Sequence, residues 1–238
     1  MSTIAHAEIH KPVSEAPPVA NQTVIMIHGI ARSVGTFRRL QSTLQGQGCN
    51  AISLRYPSTR APIEEHANSI ASFLDQMETS NTISFITHSM GGLVLRILLA
   101  KKSASIQRHR IGRIVMIAPP NRGSRIADSC KNYWPYKVFY GPAGQQLIPS
   151  NVDKIPGLAG RDFAVIAGGR SKGKGYNPFL SGDNDGTVAV AETRLDGERD
   201  SLVIPAIHAR ITNHPQTVDA TISFLKHGTL QEASELTN

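Results

Sequence analysis

Ser89 has the most chemistry to offer, because of where its neighbours place it. The hexapeptide Thr87-His88-Ser89-Met90-Gly91-Gly92 follows a short strand-like run, Thr82 to Ile86, and precedes an apolar stretch, Leu93 to Ala100. The first reads as a strand and the second, apolar almost all round, as a buried helix. A serine hydroxyl is a weak nucleophile and must be held where a base can reach it. A sharp strand-to-helix turn does this. It requires small residues two positions either side, where the incoming strand and the outgoing helix nearly touch. Gly91 and Gly92 meet that requirement, while Thr87 stands where the commonest form of the motif has glycine. The chemistry on offer is attack of a serine oxygen on an acyl carbon.

Such a nucleophile needs a base and an acid, which follow along the chain in the order serine, acid, histidine. Asp185 lies in the acidic turn Asp183-Asn184-Asp185-Gly186-Thr187-Val188, and His208 lies between a strand and the final helix. His208 is expected to take the Ser89 proton and pass it to the leaving group. Asp185 is expected to fix the His208 tautomer and stabilise the imidazolium. Asp183 is the rival acid; Asp185 is preferred because the acid-x-x-Val spacing places it at a strand end. His214 is the rival base, but beside Pro215 it is expected to cap a helix. The tetrahedral oxyanion needs two donors, expected to be the backbone N–H groups of Met90 and of Ile30 in His28-Gly29-Ile30-Ala31. His28 and His88 read as structural neighbours of the site.

The elements that must position these residues alternate between strand and helix. Strands are expected at Thr23 to His28, Ala51 to Leu54, Thr82 to Ile86, Ile111 to Ile117, Phe163 to Ala167 and Ser201 to Ile204. Helices are expected from about Gly35 to Gln45, from Pro62 along the stripe Ile63, Ala67, Ile70, Leu74 and Met77, and from Pro215 to His227 with Gly228 as the stop. This alternation implies one α/β domain: a mostly parallel central sheet with helices on both faces. Between Arg122 and Gly160 the periodicity fails, and Tyr133, Trp134, Tyr136, Phe139 and Tyr140 crowd there. A segment of that length without periodicity is expected to be a lid or cap insertion, or a small satellite core.

Other readings of the chain are weaker. Gly168-Gly169-Arg170-Ser171-Lys172-Gly173-Lys174 mimics a phosphate-binding loop. Gly175 replaces its required Ser or Thr, and Tyr176-Asn177-Pro178 cannot open the helix it needs, so a flexible basic loop is expected instead. No His, Asp, Glu or Cys cluster has metal-ligand spacing, and no cofactor is expected. Cys49 and Cys130 are expected to be free thiols. The formal net charge is +7, with basic residues at Lys101, Lys102, Arg108, Arg110 and Arg113. These are expected to form a solvated face, with contact to an anionic membrane or acidic partner as the sharper alternative. No aromatic interleaving favours nucleic acid. No apolar run approaches the ~20 residues of a membrane span, and 1–20 lacks a secretory apolar core, so a cytoplasmic location is expected.

Taken together, the chain resembles the α/β-hydrolase superfamily and, within it, the lipase and esterase branch. The resemblance rests on Val24-Ile25-Met26-Ile27-His28-Gly29-Ile30, Thr87 through Val94, Ala118-Pro119-Pro120-Asn121-Arg122-Gly123-Ser124, Asp185-Gly186-Thr187-Val188, and the ending from His208 through Leu225. These pieces span about residues 22 to 228. The resemblance implies an α/β-hydrolase fold with a short lid or cap insertion over 122–160. It implies hydrolysis of carboxylic or lipid esters by Ser89, His208 and Asp185 without a cofactor. The segment from Pro119 resembles the one that opens the substrate-covering region of lipases. The superfamily also holds acyltransferases, thioesterases and C–C hydrolases, so acyl transfer or thioester cleavage is the alternative, and an inactive binding module a lesser one. The expected division is a leader at 1–20, the hydrolase domain at 21–228 and a polar tail at 229–238; oligomeric state is not specified.

Overall fold

The computed structural model describes residues 22–78, 82–101, 103–171 and 173–231. The leader, Lys102, Lys172 and the tail beyond Gln231 lie outside the described residues. Six strands form one sheet: β1 (Thr23–Ile27), β2 (Asn50–Ser53), β3 (Ile83–His88), β4 (Ile111–Ile117), β5 (Phe163–Gly168) and β6 (Asp200–Ile204). Their spatial order is β2-β1-β3-β4-β5-β6, and every neighbouring pair is parallel. All six expected strands are present, and their ends shift by at most two residues.

The helices are α1 (Arg38–Gly46), α2 (Ile63–Asp75), α3 (Gly91–Ala100), α4 (Ala104–Gln107), α5 (Arg125–Cys130), α6 (Trp134–Gln145), α7 (Pro149–Val152), α8 (Val190–Thr193) and α9 (Pro215–His227). Alternation along the strands divides the core in two. Ile25, Ile27, Phe85, Met116 and Phe163 face α2 and α3, whereas Val24, Met26, Val115, Ile117 and Ile166 face α1 and α9. The strands are apolar on both faces because both faces are covered. Each large side chain buried here contributes about 1.5–3 kcal/mol. Among the described residues no helix is long and apolar enough to cross a membrane.

This strand order has one point where the connections reverse direction. From β1 the chain steps outward to β2, then crosses back to β3 on the other side of β1. Parallel sheets of this kind open a crevice there, beyond the carboxyl ends of the strands. Ala31, Ser89 and Ala118, just after β1, β3 and β4, all take positive φ, at 52°, 53° and 47°. Non-glycine residues hold that conformation only where surrounding structure enforces it.

Two sequence expectations are corrected, and the aperiodic segment gains detail. The aperiodic stretch from Arg122 to Gly160 contains three short helices, α5 to α7. They are too short and too interrupted to carry a visible stripe: α6 breaks at Gly141 (φ 59°, ψ −158°) before Pro142. A Cβ at Gly141 would fall 1.8 Å from the Thr59 carbonyl oxygen, so glycine is required twice over. The basic group after α3 is not wholly a solvated face either. Arg113 is buried, pairs with Asp162 at 3.0 Å and donates to the Leu225 carbonyl. His214 occupies the N-cap position of α9, yet its side chain makes no capping hydrogen bond.

Candidate active site

β3 delivers the chain to Ser89, whose amide donates to the Ile117 carbonyl of β4 at 2.9 Å. α3 begins two residues later. The glycine requirement at 91 proves to come from a neighbour in space: a Cβ there would lie 2.2 Å from the carbonyl oxygen of Ile27, at the end of β1. The helix therefore grazes β1, which lies beside β3, rather than the strand it leaves. Thr87 fits because Gly92 stands above it. A Cβ at 92 would lie 3.4 Å from the Thr87 hydroxyl and 2.7 Å from the Met116 methyl carbon.

Ser89, Asp185 and His208, separated by up to 119 positions, meet in one chain of hydrogen bonds. The Ser89 hydroxyl and His208 Nε2 are 3.0 Å apart, and His208 Nδ1 and Asp185 Oδ2 are 2.6 Å apart. A carboxylate only accepts, so Nδ1 carries the proton and Nε2 offers its lone pair to the Ser89 hydroxyl. All three side chains are nearly buried.

The Asp185 carboxylate is held as firmly as the imidazole it meets. Asp185 Oδ1 accepts from the amides of Thr187 at 2.9 Å and Val188 at 2.7 Å, which leaves Oδ2 for the imidazole. The Asp-x-x-Val spacing thus marks a carboxylate-anchored turn in the β5–β6 connection, and not a strand end as the sequence reading supposed. The His208 amide donates to the Asp185 carbonyl at 2.9 Å, a second bond between the same two residues. Asp183 points elsewhere: its carboxylate accepts from the amides of Arg170 and Ser171. The amides of the loop that mimics a phosphate site are therefore already occupied by this chain's own carboxylate.

His88 lies against His208. Its Nε2 is 3.1 Å from the His208 carbonyl oxygen, and the two rings are 4.8 Å apart. A carbonyl only accepts, so His88 carries its proton on Nε2. Burial, reinforced by the neighbouring His208 and Arg32, pushes the His88 pKa well below its ordinary value and keeps the ring neutral. His28, at the end of β1, stacks on Tyr56 with ring centres 4.3 Å apart, and the Tyr56 hydroxyl donates to the His28 carbonyl. Both histidines support the turns that carry the site.

The Met90 and Ile30 amides were the expected oxyanion donors. Neither donates to another described protein group, and Met90 directly precedes the first turn of α3. A cavity of about 180 Å³ opens over Ser89 and His208. It is lined by Ile30, Arg32, Ile126, Tyr136, Tyr140, Leu147 and Val188, among others. Among the described residues no group of three or more His, Cys, Asp or Glu side chains could hold a metal ion.

Sequence reasoning missed Arg96, in the middle of the apolar helix α3. Its buried guanidinium donates to the carbonyls of Asn121, Ile155 and Pro156, and burial lowers its pKa to about 10. It fastens both ends of the 122–160 segment to the core. A lone arginine in an otherwise apolar helix was the available signal, since such a charge requires fixed partners.

Solved structures share this architecture. The mature form of Bacillus licheniformis lipase BlEst2 superposes with a TM-score of 0.67 at 17% identity, over 92% of this chain and 96% of that one. Phospholipase PlaB from Legionella pneumophila gives 0.67 at 19% identity over 88% of this chain. A metagenomic carboxyl esterase gives 0.66 at 16% identity over 92% of this chain and 75% of that one. The chain spans 60% of the phospholipase and 53% of the propeptide form of the lipase. No curated protein matches its sequence. The fold is that of the α/β-hydrolases, and by the match over residues 3–134, more than half its length, the chain belongs to the family described as domain of unknown function DUF7379.

Proposed function

We propose that the protein is a serine hydrolase that cleaves carboxylic esters through an acyl-enzyme on Ser89. Ser89 Oγ attacks the acyl carbon while its proton passes to His208 Nε2, and the Met90 and Ile30 amides receive the developing oxyanion. The carbon–oxygen bond to the alcohol then breaks, and the alcohol oxygen takes the proton from Nε2. Water repeats the cycle: its proton goes to His208, its oxygen bonds to the acyl carbon, and Ser89 regains its proton as the acid departs. Asp185 keeps Nδ1 protonated throughout and stabilises the imidazolium.

The observation that carries this reading is the unbroken relay of 3.0 Å and 2.6 Å beneath an open cavity. The cavity wall from Ile126 to Leu147 is largely apolar and suits an acyl group. Its volume is below the ~300 Å³ at which pockets begin to enclose drug-sized ligands, which favours short acyl chains. Helices α5 to α7 serve as the substrate cover. The named activities of the structural neighbours, lipase, phospholipase and carboxyl esterase, belong to the same reaction class.

A fluorophosphonate probe followed by peptide mass spectrometry tests the reading. Wild type should carry the adduct on Ser89, and S89A should carry none; an unlabelled wild type, or equal labelling of S89A, would refute it. Matched esters and thioesters, with and without an added alcohol acceptor, separate hydrolysis from acyl transfer and thioester cleavage.

A further inference from the structure

The cavity over Ser89 has a polar neighbour. A second cavity of about 410 Å³ is lined by Ala31, Arg32, Ser33, Thr36, Ala209 and Asn213. Arg32 lines both cavities, and the two share adjacent wall residues: Ile30 beside Ala31, His208 beside Ala209. The nucleophile and base therefore have an apolar chamber on the α5–α6 side and a polar one towards the start of α1. A substrate that reacts at Ser89 while spanning both has one apolar and one polar part; with the acyl group in the apolar chamber, as proposed above, the polar part is the alcohol.

Arg32 fixes the charge of that polar part. Its side chain is exposed, and no carboxylate among the described residues forms an ion pair with it. The other lining side chains of the polar chamber, Ser33, Thr36 and Asn213, are uncharged, and Asn213 is already committed to the Thr36 carbonyl and the Arg39 amide. An uncompensated guanidinium at the junction of the chambers presents a forked set of donors matched to a planar or tetrahedral oxyanion. Its positive charge also reaches inward, since it acts on buried His88, next to Ser89.

We infer that Arg32 is a specificity-determining residue that binds an anionic oxyacid group, carboxylate or phosphate, on the alcohol part of a short-chain ester. The inference rests on the esterase reading of Ser89 and adds the substrate's charge. Acidic esters are recognised by Arg32 in the polar chamber while the acyl group enters the apolar one.

The test uses aryl butyrates with and without an anion on the alcohol, each rate normalised to spontaneous hydrolysis: 4-butyryloxybenzoate against its neutral benzamide analogue, and 4-butyryloxyphenyl phosphate against butyryloxybenzene. The ratio of kcat/KM, charged over neutral, should be about tenfold in wild type at low salt, the scale of one charge-assisted contact. It should fall towards one in R32Q, invert in R32E, recover in part in R32K, and shrink as ionic strength rises. The two pairs report separately which anion is preferred. A wild-type ratio near one for both pairs, or ratios that R32Q and R32E leave intact, overturns the inference. In that outcome turnover of the neutral esters and fluorophosphonate labelling of Ser89 still uphold the esterase reading. Absence of both labelling and turnover overturns the two together.

Discussion

The rim of the sheet that holds Ser89, Asp185 and His208 and the proposed cover at 122–160 are built by opposite rules. At the rim Asp185 is held at both carboxylate oxygens, and His208 is gripped at its amide, its carbonyl and Nδ1. In the cover, Tyr133, Trp134, Val138 and Phe139 are each at least 66% exposed, and α6 is broken in its middle. Arg96 fastens the ends of the cover and Gln146 ties its middle to α2, whereas Asp185 and His208 at the rim are each held at several atoms. Where a reaction needs atoms placed to a fraction of an ångström the chain has little freedom; where it needs only a wall, many side chains serve.

The sharpest test of that contrast is a pair of neighbouring acids. D185N removes the acceptor that fixes the imidazole tautomer and should lower kcat by about 10⁴-fold with the fold retained. D183N replaces a carboxylate that holds two loop amides. It should lower the melting temperature and leave kcat within a few-fold. Equal kinetic losses for the two would erase the distinction between the relay and its scaffold. Crowding at the rim predicts a structural counterpart: G91A drives a methyl group against the Ile27 carbonyl and should cost about 1–3 kcal/mol of stability in denaturant titration. An unchanged midpoint would mean that the close approach is not enforced.

His88 tests whether positioning at the rim is itself graded. H88A leaves the buried His208 carbonyl without its donor, which costs about 1–3 kcal/mol, and lets the base wander. A roughly tenfold drop in kcat with little change in KM is expected, with partial recovery in H88Q, whose amide can donate. A loss of stability without any loss of kcat would reduce His88 to packing.

Acid sensitivity follows from the same buried rings. His28, His66 and His88 have pKa values lowered in the fold, chiefly by burial, from an ordinary value of 6.5. Below that value the unfolded chain binds protons that the folded chain refuses, so stability is complete above about pH 6.5 and falls as the pH drops. Melting temperature followed from pH 7.5 to pH 5 should decline, and H66Q should flatten the decline. A flat profile in wild type would contradict the burial of these rings as neutral groups.

Much of the rim was legible in the sequence because its constraints are local and chemical. A strand, a serine and two glycines in register specify a turn, and an Asp-Gly-Thr-Val run specifies a carboxylate-anchored one. Even there the reasons were only partly visible: the contact that demands Gly91 comes from β1, 64 residues upstream of it, and the anchoring of Asp185 by Thr187 and Val188 was mistaken for a strand end. The segment 122–160 reads as a lid or cap, but its helices escape because they are four to twelve residues long, too short for periodicity to rise above chance. The role of Arg96 needed three carbonyls from two distant segments, which no spacing rule encodes. Nothing in its spacing singles out Arg32, whose place at the junction of two cavities comes from the fold.

The smallest predicted effect separates cover from rim most cleanly. Trp134 is the chain's single tryptophan and is 73% exposed. Its emission should therefore resemble that of indole in water and be readily quenched by iodide. W134A and F139S remove apolar surface that already faces solvent, so each should change stability by no more than about 0.5 kcal/mol, equivalent to at most about 2 °C in melting temperature for a domain of this size. Turnover of short soluble esters should be unchanged as well, because neither residue lines the cavity over Ser89. A blue-shifted, unquenchable Trp134, or a large loss of stability in either variant, would mean that the outer face of α6 is packed against something. The cover would then be bound by the same rule as the rim.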